Sequence, residues 1–482
     1  MGSRRWLVVV GALLVQICLG VIYAWGTFVP MFKAGKPELA LMVRPELLGI
    51  DPATHSAWLA QAKTLKTVQA GATGAAKAEA KAAWTAFLKT EVEPKLDVTG
   101  LGWSKYHAGF SAVQAKSVFS VGLAVFALVM IFSGRWQDRI GPRKVAIFGC
   151  SLLGVGYLVA SLWTSNYGWV LFWVGVVGGA GIGCAYVCPI AACLKWYPEA
   201  KGLITGLAVA GFGAGAYLFI NLAGDWAGLL AKGGVPLAFQ VFGLTFLTVG
   251  VAGASLLRNP APGELAPVLK SVAAGPVVAT GADLAQAQTV RTPTFWLMWL
   301  AFMLSAGGGL MVISSLKDFG VSEEGLPEAS AERALGLLAL FNGLGRIVWG
   351  TLGQMWGLRR SLVSLMVLQA AMLFGLQLGG ASVGLLAVAG CWSGFMFGGN
   401  LSLFPQLTAD RFGLKHMGGN YGLMFTSYGV GGVVGPLLAG WMWDTLHSYR
   451  SAFLGAAVAS LVAATLILLI GRLRDAPAST TR

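Results

Sequence analysis

Residues Gly134–Lys144 read GRWQDRIGPRK and residues Gly350–Arg360 read GTLGQMWGLRR. Gly134 and Gly350, Gly141 and Gly357, and Arg143 and Arg359 match at a constant offset of 216 residues. The same register carries Gly178, Gly183, Pro189, Gly202, Gly206, Gly213 and Gly215 onto Gly394, Gly399, Pro405, Gly418, Gly422, Gly429 and Gly431. Chance glycine matches are expected in a chain with 68 glycines. An offset that survives three apolar segments and their connections marks an internal duplication. The chain therefore reads as an N-terminal half, 1–257, and a C-terminal half, 293–482, joined by a polar, Pro/Gly-containing loop at 258–292.

The duplicated unit is built for lipid. The sequence is 56% hydrophobic and 11% charged, with a mean hydropathy of +0.71, outside the balance of water-soluble domains. Twelve apolar stretches lie at about 6–32, 113–133, 145–163, 168–193, 201–222, 237–257, 294–316, 334–355, 361–379, 383–407, 420–443 and 451–471. Each is near the ~20 residues that a helix needs to cross the hydrocarbon core. The expected fold is an all-α integral membrane protein of twelve transmembrane helices in two six-helix pseudo-symmetric halves. Arg4 and Arg5 ahead of the first stretch suggest a secretory signal, but the apolar run is too long and has no small-residue cleavage site before Lys33. All six cysteines fall in apolar stretches and read as buried thiols, so neither a disulfide framework nor a metal site is expected.

A net charge of +14 could suggest a polyanion partner, but its distribution argues against nucleic acid. With both termini on the cytoplasmic side of the cell membrane, eighteen Lys/Arg, from Arg4 and Arg5 to Lys270, Arg472, Arg474 and Arg482, face the cytoplasm. The short outer loops then hold only Lys232, Lys317, Arg333 and Arg450. That asymmetry is the positive-inside pattern. Residues 34–112 interrupt the repeat with a long mixed-charge insertion between the first two helices. Its Ala/Lys-rich pieces, about 54–70 and 75–92, read as an extracytoplasmic helical hairpin.

The pattern G-x-x-x-D-R-x-G-x-R beginning at Gly134, with its partial copy at Gly350, resembles the signature of the major facilitator superfamily across all twelve stretches. GVIYAWGTF (Gly20–Phe28), YVCPIAACLKWYPEAKGLITGLAVAGFGAG (Tyr186–Gly215), NGLGRIVWG (Asn342–Gly350) and NYGLMFTSYG (Asn420–Gly429) are similar to the oxalate/formate antiporter family, which is related to monocarboxylate transporters. The resemblance implies the major facilitator fold and transport of small carboxylates by alternating access. The insertion is longer than that family's usual loop.

Arg346 sits inside an apolar run, with no acidic residue between Glu332 and Asp410. A guanidinium near the midplane is costly unless it faces a polar interior. Its repeat counterpart is Met130, so packing of the repeat does not require it. Asn342, one turn earlier, lies on the same helical face. A planar fork of N–H donors suits a carboxylate better than a lysine does, and the family resemblance assigns this arginine the same role. Tyr186 and Tyr23 can each donate a hydroxyl hydrogen bond while presenting a ring, and Phe397 is a further candidate wall. The resemblance also places a lysine of oxalate-carrying relatives at a position matching Tyr428. A lone cation here then favours a monocarboxylate such as formate, lactate or pyruvate over a dianion.

Gly134, Asp138, Arg139, Gly141 and Arg143, with Gly350, Gln354 and Arg359 in the second half, are the expected gating residues. Asp138 is expected to form a charge network with Arg139 and Arg143 and to cap neighbouring helix termini. Gln354 stands where the aspartate would be, so that half of the gate should hold less tightly. None of the twenty Asp/Glu falls mid-membrane, so coupling is expected through the substrate, as anion exchange or with a co-transported proton. No nucleophile–base pair, metal cluster or phosphate loop is apparent, so neither an enzyme nor a cofactor is expected. The chain is expected to work as a monomer. An oxalate/dicarboxylate exchanger and a non-transporting carboxylate sensor remain alternatives.

Overall fold

A computed structural model of the chain describes residues 2–33, 41–42, 45, 50–71, 75–95, 109–224, 226–261, 264, 283–376 and 382–470. The expected basic positions Lys270, Arg472, Arg474 and Arg482, and much of 34–49, 96–108 and 265–282, lie outside the described residues. The described residues are helical or irregular, without strands. Among the described residues twelve helices are long and apolar enough to cross a membrane: α1 Arg5–Thr27, α2 Val113–Ile140, α3 Pro142–Ala160, α4 Tyr167–Trp196, α5 Lys201–Ala223, α6 Leu229–Leu256, α7 Pro293–Val321, α8 Arg333–Trp356, α9 Leu358–Gly375, α10 Val383–Phe412, α11 Met417–Leu446 and α12 Tyr449–Ile470.

Every expected stretch overlaps one of these helices, but several ends differ for identifiable reasons. Helix α2 continues to Ile140 and α8 to Trp356, so most of the repeated motif is the last two turns of a helix rather than a loop. Each helix stops at a glycine with positive φ, Gly141 at 89° and Gly357 at 90°, a backbone that side chains strain to adopt. Pro142 then opens α3 at its first position, where no N–H is needed. Side-chain caps open others: Thr292 accepts from Phe295 N ahead of α7, and Ser382 from Leu385 N ahead of α10. The range of α6 includes a short turn of helix from Leu229, which breaks at Gly233 and Gly234 ahead of Pro236, so the continuous part begins close to the apolar pattern.

Helix ends gather by hydrogen bonding. Arg5 Nη2 donates to Trp196 O at 2.5 Å, tying the start of α1 to the end of α4. Arg143 Nε reaches Leu257 O at 3.2 Å beyond α6, and Arg359 Nη2 reaches Leu468 O at 2.9 Å in α12. Leu284 N donates to Phe412 O at 3.1 Å, fixing the approach to α7 against the end of α10. The repeated motif, the start of α1 and the end of α12 thus share one end of the bundle, hereafter the signature end. At the opposite end Arg450 pairs with Glu323 and Glu324 and donates to Leu376 O at 2.9 Å.

The halves meet along two seams, α2 with α11 and α5 with α8. At the signature end Gly134 abuts Gly418 and Gly202 abuts Gly350, so closely that a side chain at either Gly134 or Gly202 would overlap the facing carbonyl. These two contacts are copies of each other under the 216-residue register. In the insertion, helices Pro52–Gly71 and Ala75–Phe87 form, and the second continues through Leu88–Val92. Phe110 N donates to Phe32 O at 2.8 Å and the two rings stack at 4.9 Å, so the insertion leaves and returns at one pinned neck.

Candidate substrate site

Arg346 occupies the α5–α8 seam with none of its surface exposed. Its Nε donates to Asn342 Oδ1 at 3.0 Å, the one-turn pairing that the helix spacing predicts. Nη1 donates to Val209 O on α5 at 2.7 Å, and the guanidinium carbon lies 5.4 Å from the centre of the Phe212 ring. Nη2 is buried without a hydrogen-bond partner. No carboxylate among the described residues forms an ion pair with Arg346. A delocalised cation is therefore held by neutral acceptors and a ring face, with one N–H pair uncommitted.

Tyrosines surround this donor. Tyr186 on α4 packs edge-on to Phe212 at 5.4 Å and meets Phe126 and Phe425 at 5.1 Å each. Tyr421 on α11 meets the same Phe425 ring at 5.8 Å, and the buried hydroxyls of Tyr186 and Tyr421 have no hydrogen-bond partner. Tyr23 on α1 and Tyr428 on α11 pair through their hydroxyls, joining the two halves. Phe425 stacks on Tyr428 at 4.6 Å, and Phe397 approaches the same ring at 6.2 Å. Arg346, Tyr186, Tyr421 and Tyr428 are buried, whereas Tyr23 is half-buried.

The structure thus brings Arg346, Asn342, Tyr186, Tyr23, Tyr428 and Phe397 into one cluster. Tyr23 and Tyr428 spend their hydroxyls on each other. Tyr421, which sequence reasoning passed over, keeps its buried hydroxyl uncommitted, whereas that of Tyr428 is paired. The signal was present in the Asn-Tyr-Gly motif, but choosing between tyrosines seven residues apart on one helix requires depth, which only packing supplies. Phe212 was also missed: its ring is the surface on which the arginine, Tyr23 and Tyr186 converge.

The residues expected to gate divide into two devices. Asp138 accepts hydrogen bonds from Gly419 N at 2.7 Å and Gly418 N at 3.2 Å, capping the N-terminus of α11. Gln137 Nε2 adds a third donor at 2.5 Å, and Lys195 Nζ lies 3.9 Å away. Gln354 performs the same cap on α5: it accepts from Gly202 N at 3.1 Å and donates to Glu199 O at 2.7 Å. The expected network of Asp138 with Arg139 and Arg143 is corrected here, because the cation beside Asp138 is Lys195. Arg139 is exposed, and Arg143 and Arg359 point back to helix ends in their own halves, where a cation satisfies terminal carbonyls.

The family model of the Major Facilitator Superfamily matches residues 95–376 and 318–482. The apicoplast pyruvate carrier 1 of Toxoplasma gondii is 28% identical over 88% of this chain and 81% of that protein. The oxalate:formate antiporter of Oxalobacter formigenes is 27% identical over 74% of this chain and 82% of that protein. The human organic anion transporter MFSD10 (TETRAN) shares the fold, with a TM-score of 0.62 over 97% of this chain and all of that one, at 14% identity. With twelve spans, two seams and a motif repeated at both, the chain belongs to the major facilitator superfamily and is a transporter related to oxalate/formate and pyruvate carriers.

Proposed function

We propose that this transporter moves small monocarboxylates, of the formate, lactate or pyruvate type, and that Arg346 is the carboxylate anchor. The observation that carries this reading is the uncommitted Nη2 of a fully buried arginine beside two unpaired tyrosine hydroxyls. One guanidinium neutralises one carboxylate. Among the described residues Arg346 is the one Lys or Arg classed as buried, so the second charge of oxalate would enter uncompensated, at a cost of several kcal/mol. The relatives' names, a pyruvate carrier and an oxalate:formate antiporter, support the substrate class.

Coupling then follows from the substrate: either another anion returns on the same site, or a proton travels with the carboxylate. The positive-inside bias supports a cell-membrane protein with both termini and the signature end on the cytoplasmic side, and the 34–112 insertion outside. Asp138 and Gln354 would then close the cytoplasmic gate.

Counterflow of labelled formate, lactate and pyruvate in proteoliposomes tests the proposal, with oxalate as competitor above pH 6, where it is doubly ionised. Flux should favour a monocarboxylate. Arg346→Lys should keep the charge but lose the fork, weakening competition by about tenfold to a hundredfold. Near-normal affinity in that variant would remove Arg346 from the site, and a wild-type preference for oxalate would overturn the single-cation reading.

A further inference from the structure

The buried polar atoms without a hydrogen-bond partner include five on spans that carry or adjoin the cluster, Arg346 Nη2, Tyr186 Oη, Tyr421 Oη, Thr205 Oγ1 and Gln16 Oε1. They come from five spans and both halves. Gln16 precedes Tyr23 by about two turns on α1, Tyr421 precedes Tyr428 by two turns on α11, and Thr205 precedes Val209 by one turn on α5. Helices α1, α5 and α11 all start at the signature end. Three of the five atoms therefore lie on the signature side of the Tyr23–Tyr428 pair and of the Val209 contact to Arg346, where the site has hydrogen-bonding capacity to spare.

The chemistry of the five is unequal. Arg346 Nη2 can only donate, and the three hydroxyls can donate or accept. Gln16 is fully buried where α1 meets α4 and α5: its Nε2 donates to Tyr186 O at 3.2 Å, and its Cβ lies 3.2 Å from where a side chain on Gly211, next to Phe212, would begin. Donation to a carbonyl fixes the amide's orientation, because a flipped amide would set two oxygens against each other. Oε1 is consequently the one acceptor-only atom among the five. A carboxylate consumes donors, Arg346 Nη2 and a tyrosine hydroxyl. What remains for the rest of the substrate includes an acceptor that needs a proton donor.

We propose that Gln16 Oε1 is a specificity determinant that favours 2-hydroxy monocarboxylates over their 2-oxo counterparts by accepting the hydrogen of the 2-hydroxyl. A 2-oxo oxygen at the same place would face another acceptor. This inference rests on Arg346 being the carboxylate anchor.

Competition by lactate, pyruvate and 2-methoxypropionate against one labelled monocarboxylate tests it in the wild-type transporter. The ether keeps the oxygen of lactate but has no hydrogen to donate. Lactate should compete about fivefold better than either of the other two, the effect of one hydrogen bond. In Gln16→Leu the three should converge to within about twofold. Equal competition by lactate and pyruvate in wild type, or an advantage of lactate that persists in Gln16→Leu, overturns the role of Gln16. If Gln16→Leu does not fold, the wild-type comparison of lactate with the ether decides the matter: the advantage supports the acceptor, and parity removes it. Failure of all three to compete would likewise overturn the role of Gln16, whereas near-normal affinity in Arg346→Lys would overturn Arg346 as the anchor, so the two readings fail by different results.

Discussion

The two seams close in the same way with different chemistry. At α2–α11 a carboxylate, Asp138, caps α11 by accepting from two backbone amides, with Lys195 near it. At α5–α8 an amide, Gln354, caps α5 by accepting from Gly202 N while donating to Glu199 O. By sequence Gln354 reads as a weakened copy of the aspartate. In the structure each makes two hydrogen bonds across its seam, and the second uses both ends of the amide. The carboxylate of Glu199 is already engaged by Arg5. A negative side chain at 354 would therefore meet the Glu199 carbonyl with no donor to offer it. The duplication repeats the position of the cap, and each seam's surroundings decide its charge.

The largest break in this comparison should come from Asp138→Ala. It removes two charge-assisted bonds to a helix N-terminus and leaves Lys195 without its carboxylate. At about 1.5–3 kcal/mol for a hydrogen bond to a charged group, the signature end should shift from closed toward open by at least tenfold. Spin-label distances between the signature ends of α4 and α10 would report that equilibrium. An unchanged distribution would show that glycine packing alone holds the α2–α11 seam.

Gln354→Glu sharpens the comparison from the other side. A carboxylate near the first turn of α5 gains from the helix dipole, by about 0.3–1 kcal/mol. It loses the hydrogen bond to Glu199 O and leaves that carbonyl facing a negative charge, at about 1–3 kcal/mol if the carbonyl stays buried. The loss outweighs the gain, so the same spin-label measurement should show a more open signature end. A tighter closed state would mean that the bond to Glu199 is dispensable and that the sequence reading of Gln354 as the weaker cap was sound.

These contrasts also show where sequence reading stops. Twelve spans and their register were legible because each span is long and apolar and because glycines and prolines recur at a fixed offset. Arg346 was legible because a charge inside an apolar run needs a reason. Gln16 carried the same kind of signal, as the lone amide of its span, and the role proposed for it could be argued only once its donor was seen on Tyr186 O. Lys195 beside Asp138 was not legible. The two lie on different helices, and Arg139, adjacent in sequence to Asp138, points away. Sequence proximity suggested a partner where tertiary packing chose another.

The smallest expected effect on the gate belongs to Arg143. Its place in the repeated motif groups it with Asp138, but its Nε donates to Leu257 O, and its counterpart Arg359 donates to Leu468 O. Both bonds join helices of one half, α3 to the residue after α6 and α9 to α12. If opening and closing moves one half against the other, as alternating access requires, neither bond is made or broken in that step. Arg143→Ala should therefore leave the open–closed equilibrium within about 0.5 kcal/mol of wild type. It should still lower the protein's own stability by about 1 kcal/mol, the net value of a hydrogen bond to a helix-end carbonyl. A thermal melt in detergent beside the spin-label distances separates the two outcomes. A lower melting temperature with an unchanged gate would split the motif into a clamp at Asp138 and a staple at Arg143. A gate that opens as far as in Asp138→Ala would show that the two residues act as one device.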